Sequence, residues 1–163
     1  MSSTTLYTFD PGKTTGVCCA EVHNGLPRNA GGGPAKPTML WGAEVVSPAD
    51  WKAIYDRMAA APPQLVLVEK FRIFPWKAKE LGWDEVPAAV YRGYVEAYCL
   101  LLRVPLHYQS SSEMKAFERV GELAEAFGLS TRELPASEHI RDAMRHTAMM
   151  HYRIQRQGRG LSK

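Results

Sequence analysis

Leu65-Val66-Leu67-Val68-Glu69 is a short, unbroken apolar run closed by a carboxylate. Runs of this length without polar alternation suit a strand covered on both faces, as in a parallel sheet beneath helices. Immediately upstream, Ser47-Pro48-Ala49-Asp50 has the form of a helix start, with Ser47 as cap and Pro48 in the first turn. That helix is expected to run to about Ala61, where Pro62-Pro63 stops it. Farther upstream, Leu6-Tyr7-Thr8-Phe9 predicts a strand ending at Asp10, Pro11-Gly12-Lys13 a turn, and Gly16 to Val22 the returning strand of a hairpin. A loop rich in glycine and proline spans Asn24 to Pro37, and Met39 to Val46 predicts a third strand.

Downstream of Glu69, Phe71 to Glu85 is a basic and aromatic connection. A helix is expected from Pro87 to Arg103, a strand from Val104 to Tyr108, and a helix from about Met114, capped by Ser110-Ser111-Ser112-Glu113. Ser137 or Glu138 opens a last helix, with Ile140, Ala143, Met144, Thr147, Met150 and Ile154 on one stripe. The order β-β-β-α-β-α-β-α-α predicts an α/β fold: a central mixed five-stranded sheet, three antiparallel strands followed by parallel ones, flanked by helices.

A chain of 163 residues fits a single domain, 1–163, and 45% apolar with 23% charged residues is ordinary for a globular protein. No apolar run is long enough to span a bilayer, and the first residues lack a basic-then-apolar leader, so a cytoplasmic protein with no membrane association is expected. Cys18, Cys19 and Cys99 form neither a disulfide framework nor a zinc spacing and are expected to be buried free thiols. The net charge of +3 is too mild to identify a partner, but its distribution is uneven. Arg141, Arg145, Arg153, Arg156, Arg159 and Lys163 crowd the end of the chain, and Lys70, Arg72, Lys77 and Lys79 surround the fourth strand's exit.

Three acids stand out by place: Asp10 ends the first strand, Glu69 ends the fourth, and Asp142 lies on the last helix three residues after His139. Helical positions three apart share a face, so His139 and Asp142 can point to one spot. If the first and fourth strands are neighbours, all four groups converge. Crowded carboxylates repel unless a cation neutralises them. Hard divalent ions want oxygen ligands, and two such ions about 4 Å apart can drive phosphodiester hydrolysis.

With these residues in place a family resemblance emerges. Phe9-Asp10-Pro11-Gly12-Lys13-Thr14-Thr15-Gly16 resembles the first motif of RuvC-type Holliday junction resolvases, and Val66-Leu67-Val68-Glu69-Lys70-Phe71 the second. Tyr91-Arg92-Gly93, then Val104-Pro105-Leu106 and Lys115, resembles their middle, and His139-Ile140-Arg141-Asp142-Ala143 the final motif. The resemblance implies a ribonuclease H-like fold and a structure-selective endodeoxyribonuclease of DNA recombination and repair. Such an enzyme cuts four-way junctions by paired nicks, using two Mg2+ or Mn2+ ions per site. It matches Asp10, Glu69, His139 and Asp142 to metal and catalytic positions, and Lys115 to a lysine near the scissile phosphate. An acid often stands where this chain has His139, and the family's junction-binding aromatic falls at Arg72, between Phe71 and Phe74. These departures imply a divergent or viral member.

For DNA contact the candidates are Lys13, Lys70, Phe71, Arg72, Phe74, Lys77, Lys79, Arg141 and Arg145. Aromatic faces stack on unpaired bases while cations hold phosphates, and Phe74, farther from the strand than Phe71, is the better wedge for a junction centre. Two nicks on a two-fold junction call for a homodimer. The helix from Pro87 to Arg103 offers Val90, Tyr94, Ala97 and Leu101 as one apolar stripe and Tyr91, Val95, Tyr98 and Leu102 as another. Competing readings are a nuclease of the same fold acting on RNA or flap DNA, an idle nucleic-acid-binding module, and an actin- or sugar-kinase-like ATP-binding module. The last needs two large domains. A P-loop is excluded because Tyr7 stands where its first glycine belongs.

Overall fold

The computed structural model describes residues 3–23, 35–70 and 87–160, the last three by backbone alone. The strands are β1 (Ser3–Asp10), β2 (Thr15–His23), β3 (Thr38–Val45), β4 (Leu65–Glu69) and β5 (Leu106–Gln109). The helices are α1 (Pro48–Ala60), α2 (Pro87–Leu102), α3 (Val120–Phe127) and α4 (Glu138–Gly160), with a 3-10 helix at Ser111–Phe117. The strands pair in the order β3-β2-β1-β4-β5, antiparallel from β3 to β1 and parallel from β1 to β5. The mixed sheet expected from the element order is therefore present.

Strand alternation sorts the side chains into two layers. Tyr7 and Phe9 of β1 and Val66 and Val68 of β4 face one side, where Ile54 and Met58 of α1 and Tyr91, Val95, Tyr98 and Cys99 of α2 cover them. Two of the buried tyrosines find partners for their hydroxyls at the end of α1. Tyr98 donates to the Met58 carbonyl at 3.1 Å and Tyr7 to that of Ala61 at 3.1 Å. Of the two stripes on α2, Tyr91, Val95 and Tyr98 are thus core, while Leu102 at the end of the same stripe and all of Val90, Tyr94, Ala97 and Leu101 are exposed. The opposite side of the sheet carries Cys18, Ala20, Leu6 and Leu67 and is covered by α3 and α4. Cys18, Cys19 and Cys99 are all buried free thiols. Among the described residues, no helix is long and apolar enough to cross a membrane.

One expected element differs. Instead of an α-helix from Met114, the chain makes a 3-10 helix over Ser111–Phe117 and then α3. Ser110 hydrogen-bonds the side chains of Ser112 at 2.8 Å and Glu113 at 3.2 Å, so local hydroxyls compete for the turn. Arg119 then adopts extended backbone, and its N–H donates to Glu122 at 3.2 Å, restarting the helix.

Two glycines let α4 reach the sheet. A Cβ on Gly16 of β2 would lie 1.8 Å from the His139 carbonyl oxygen, and one on Gly42 of β3 would lie 2.6 Å from Ile140. The first turn of α4 therefore sits directly on backbone. Gly16→Ala should force that turn away and lower the thermal midpoint by roughly 2–10 °C, the range for overpacking in a chain of this size. Gly93→Ala, where an added Cβ meets nothing within 4 Å, should leave the midpoint unchanged or raise it. Equal midpoints for Gly16→Ala and the wild type would contradict this packing.

Candidate active site

The register of β1 on β4 pairs Phe9 with Val68, so the next residues, Asp10 and Glu69, end neighbouring strands side by side. On the far flank β5 pairs Gln109 with Glu69. All three lie on the α4 side, and α4 supplies the groups above them. Thr147 meets Thr8 at 2.8 Å, which places the helix over β1. The preceding residue, His146, reaches the sheet with a fully buried ring. A carboxylate oxygen of Asp10, one of Glu69 and a ring nitrogen of His146 all lie within 4.8 Å of one another.

Electrostatics follow from this crowding. Burial, the hydrogen-bonded neighbour Glu69 and the charge of Asp142 raise the Asp10 carboxyl far above the carboxylate range. Burial also works against ionisation of Glu69, but the adjacent His146 ring and Asp10 outweigh it, with help from Ser111, and its carboxyl is held low. Without a cation the two acids share a proton, carried by Asp10. A divalent ion fits such a donor set. The carboxylates repel one another, and the buried Nε2 of His146 has no hydrogen-bond partner.

Asp142 stands on α4 with its side chain 30% exposed, paired with Arg145. It lines an open cavity of about 580 Å³ together with Lys115, Glu138, Arg145 and the serines of the 3-10 helix. Lys115 and Asp142 thus share one opening. Lys115, Lys13 and Lys70 are exposed. His139 is exposed on the first turn of α4, and neither it nor Asp142 is part of the close Asp10–Glu69–His146 group.

Arg141 and Arg145 of α4 are engaged inside the protein. Arg145 binds Glu138 at 2.6 Å and Asp142, and donates to the carbonyls of Phe117 at 3.1 Å and Glu118 at 3.3 Å, tying α4 to the end of the 3-10 helix. Arg141 pairs with Glu138 and donates to the carbonyls of Pro135 and Ala136, both at 2.8 Å. Phe71, Arg72, Phe74, Lys77 and Lys79, expected to contact DNA, lie outside the described residues. The sequence reading passed over His146 and Gln109. The signal for His146 was its place four residues after Asp142, on the sheet-facing stripe of α4.

This sheet order, with acids ending the two central parallel strands and a long helix across them, is the ribonuclease H-like α/β fold. Among solved structures, the chain is similar to RuvC of Thermus thermophilus, with a TM-score of 0.68 and 20% identity, covering 94% of this chain and 96% of that one. The same protein in complex with a Holliday junction substrate gives a TM-score of 0.65 and 19% identity, with the same coverage. No protein-family model matches the sequence, and no curated protein does.

The raised Asp10 carboxyl has a consequence for stability. Folded, Asp10 holds a proton that the unfolded chain has released, so metal-free stability falls as pH rises from the ordinary carboxylate range through neutrality. Glu69 acts oppositely; its contribution is present above its unfolded value and is lost on acidification through its lowered folded one. Asp10→Asn removes the first effect. In chelator near neutral pH, the variant should melt at a higher temperature than the wild type, by a margin that grows toward alkaline pH. A variant that melts lower across the whole range would contradict the buried, repelling pair.

Proposed function

We propose that the chain is a structure-selective endodeoxyribonuclease that cuts four-way DNA junctions, acting as a homodimer of one ribonuclease H-like domain in cytoplasmic recombination and repair. The observation that carries this reading is the convergence of Asp10 and Glu69 at the ends of adjacent parallel strands, with the charge of Asp142 on α4 acting on Asp10. Such a set of oxygen donors suits Mg2+ or Mn2+, and two ions per site is the arrangement phosphodiester hydrolysis favours. When bound, the ions supply an activated water and neutralise the leaving 3′ oxygen.

The chain's own residues do the rest. Asp10 and Glu69 would hold the ions from the strand ends, and Asp142 would add a carboxylate from α4. His139, exposed three residues before Asp142, offers an imidazole that can carry a proton. Lys115, on the same cavity as Asp142, offers a fixed positive charge to the phosphoryl oxygens. Exposed Lys13 and Lys70, beside the two strand ends, hold flanking phosphates. Phe71, Arg72, Phe74, Lys77 and Lys79 extend that surface, with Phe74 as the wedge at the junction centre. Arg141 and Arg145 act chiefly by fixing Glu138 and Asp142 at its rim.

Support for a homodimer comes from α2. Leu100 and Leu101 are 80% and 78% exposed, and they continue the exposed stripe of Val90, Tyr94 and Ala97. Adjacent exposed apolar residues on a helix whose other face is core call for a second covering surface. A second copy would place two sites on one two-fold junction.

A supercoiled plasmid with an extruded cruciform tests both parts. With Mg2+ or Mn2+ the wild type should give linear product from paired nicks in one binding event. Asp10→Asn and Asp142→Asn should lose cutting by a hundredfold or more while still binding the junction in Ca2+. Leu101→Glu should shift the product to nicked circles. Equal cutting of plain duplex, or unchanged cutting by either acid variant, would overturn the reading.

A further inference from the structure

His146 is a candidate ligand that the acidic motifs do not include. Its ring is fully buried on α4, four residues after Asp142, and its Nε2 lies 3.4 Å from Glu69 Oε2 without making a hydrogen bond. A buried ring nitrogen left unpaired beside two carboxylates loses its hydration for nothing unless something binds it. Its other nitrogen is fixed. Nδ1 lies 3.1 Å from Gln109 Oε1, and in the tautomer that donates Nδ1–H to that oxygen, Nε2 presents a lone pair toward Asp10 and Glu69. Gln109 is itself fully buried and is paired with Glu69 in the β4–β5 register, so sheet and helix hold the ring from two sides. A ligating imidazole whose second nitrogen donates to a carbonyl is a recurrent construction of metal sites, because it fixes both tautomer and ring plane.

We propose that His146 is a nitrogen ligand of the divalent-metal site, positioned by Gln109, and that it biases the site toward Mn2+ over Mg2+. The inference rests on the metal-dependent reading of the Asp10–Glu69 pair. Magnesium prefers an all-oxygen octahedron, whereas imidazole suits first-row transition ions, so one nitrogen in the shell shifts the preference. His146 sits deeper than Asp142, whose side chain is part-exposed, which assigns it to the inner end of the site.

Pulsed EPR of Mn2+ bound to the full chain reads the ligand directly, without DNA and without turnover. The wild type should show a nitrogen coupling from a coordinated imidazole. His146→Gln should lose it, and His139→Gln should keep it. Gln109→Leu should weaken Mn2+ binding tenfold or more, the usual scale for removing such a support, with less effect on Mg2+. The ratio of Mn2+ to Mg2+ affinity should fall in both His146→Gln and Gln109→Leu. If His146→Gln does not fold, the wild-type and His139→Gln spectra still decide the matter. Bound Mn2+ with no nitrogen coupling, or a coupling lost in His139→Gln, overturns the assignment to His146 and leaves the carboxylate site standing. A wild type that binds no Mn2+ overturns the metal site and the function built on it.

Discussion

Asp10 and Glu69 are forced together because β1 and β4 run parallel, side by side, and end at the same level. Two carboxylates in that position cannot both ionise beneath a helix without something positive between them. Their proximity is costly to the folded chain, and the rest of the molecule keeps it in place. A half-buried pair that pushes the two carboxyls' proton affinities apart is expected where the pair has chemical work to do.

The two faces of the sheet divide the labour. On one side α1 and α2 bury Tyr7, Phe9, Val66 and Val68, with tyrosine hydroxyls satisfied by helix-end carbonyls, so the central strands have little freedom to shift. On the other side α4 lies close enough to place Asp142 and His146 above the strand ends. That closeness depends on Gly16 and Gly42, where any side chain would collide with the helix. Arg145 secures the same helix from its outer flank, binding Asp142, Glu138 and two carbonyls at the end of the 3-10 helix. Arg145 thus holds Asp142 in place while the charge of Asp142 acts on Asp10.

Much of this was legible in the sequence because its signals are local. The uninterrupted Leu65–Val68 run marked a doubly covered strand, Ser47-Pro48 and Pro62-Pro63 bracketed α1, and an acid closing each of two strands pointed to their carboxyl ends. The two stripes on α2 also separated, one outward and the other into the core except for its last member, Leu102. What escaped depends on three-dimensional register. His146 is a histidine within an apolar stripe, and only the contact of Thr147 with Thr8 fixes which way that stripe is rotated. Gln109 carries no motif at all; its place beside Glu69 comes from strand pairing. His139, singled out by its spacing to Asp142, is exposed because its backbone, not its ring, is what docks on Gly16. Ser110 to Ser112 gave a helix-start signal, but the same hydroxyls tighten the turn into a 3-10 helix.

The central claim is that the paired acids at the ends of β1 and β4 form a divalent-metal site. Crystals soaked in Mn2+ and measured near the manganese absorption edge test it most directly. The account predicts an anomalous peak between Asp10 and Glu69, under the turn of α4 that carries Asp142 and His146, absent from Asp10→Asn crystals treated alike. Ordered crystals that take up Mn2+ only elsewhere, leaving no peak between these two carboxylates, would contradict it.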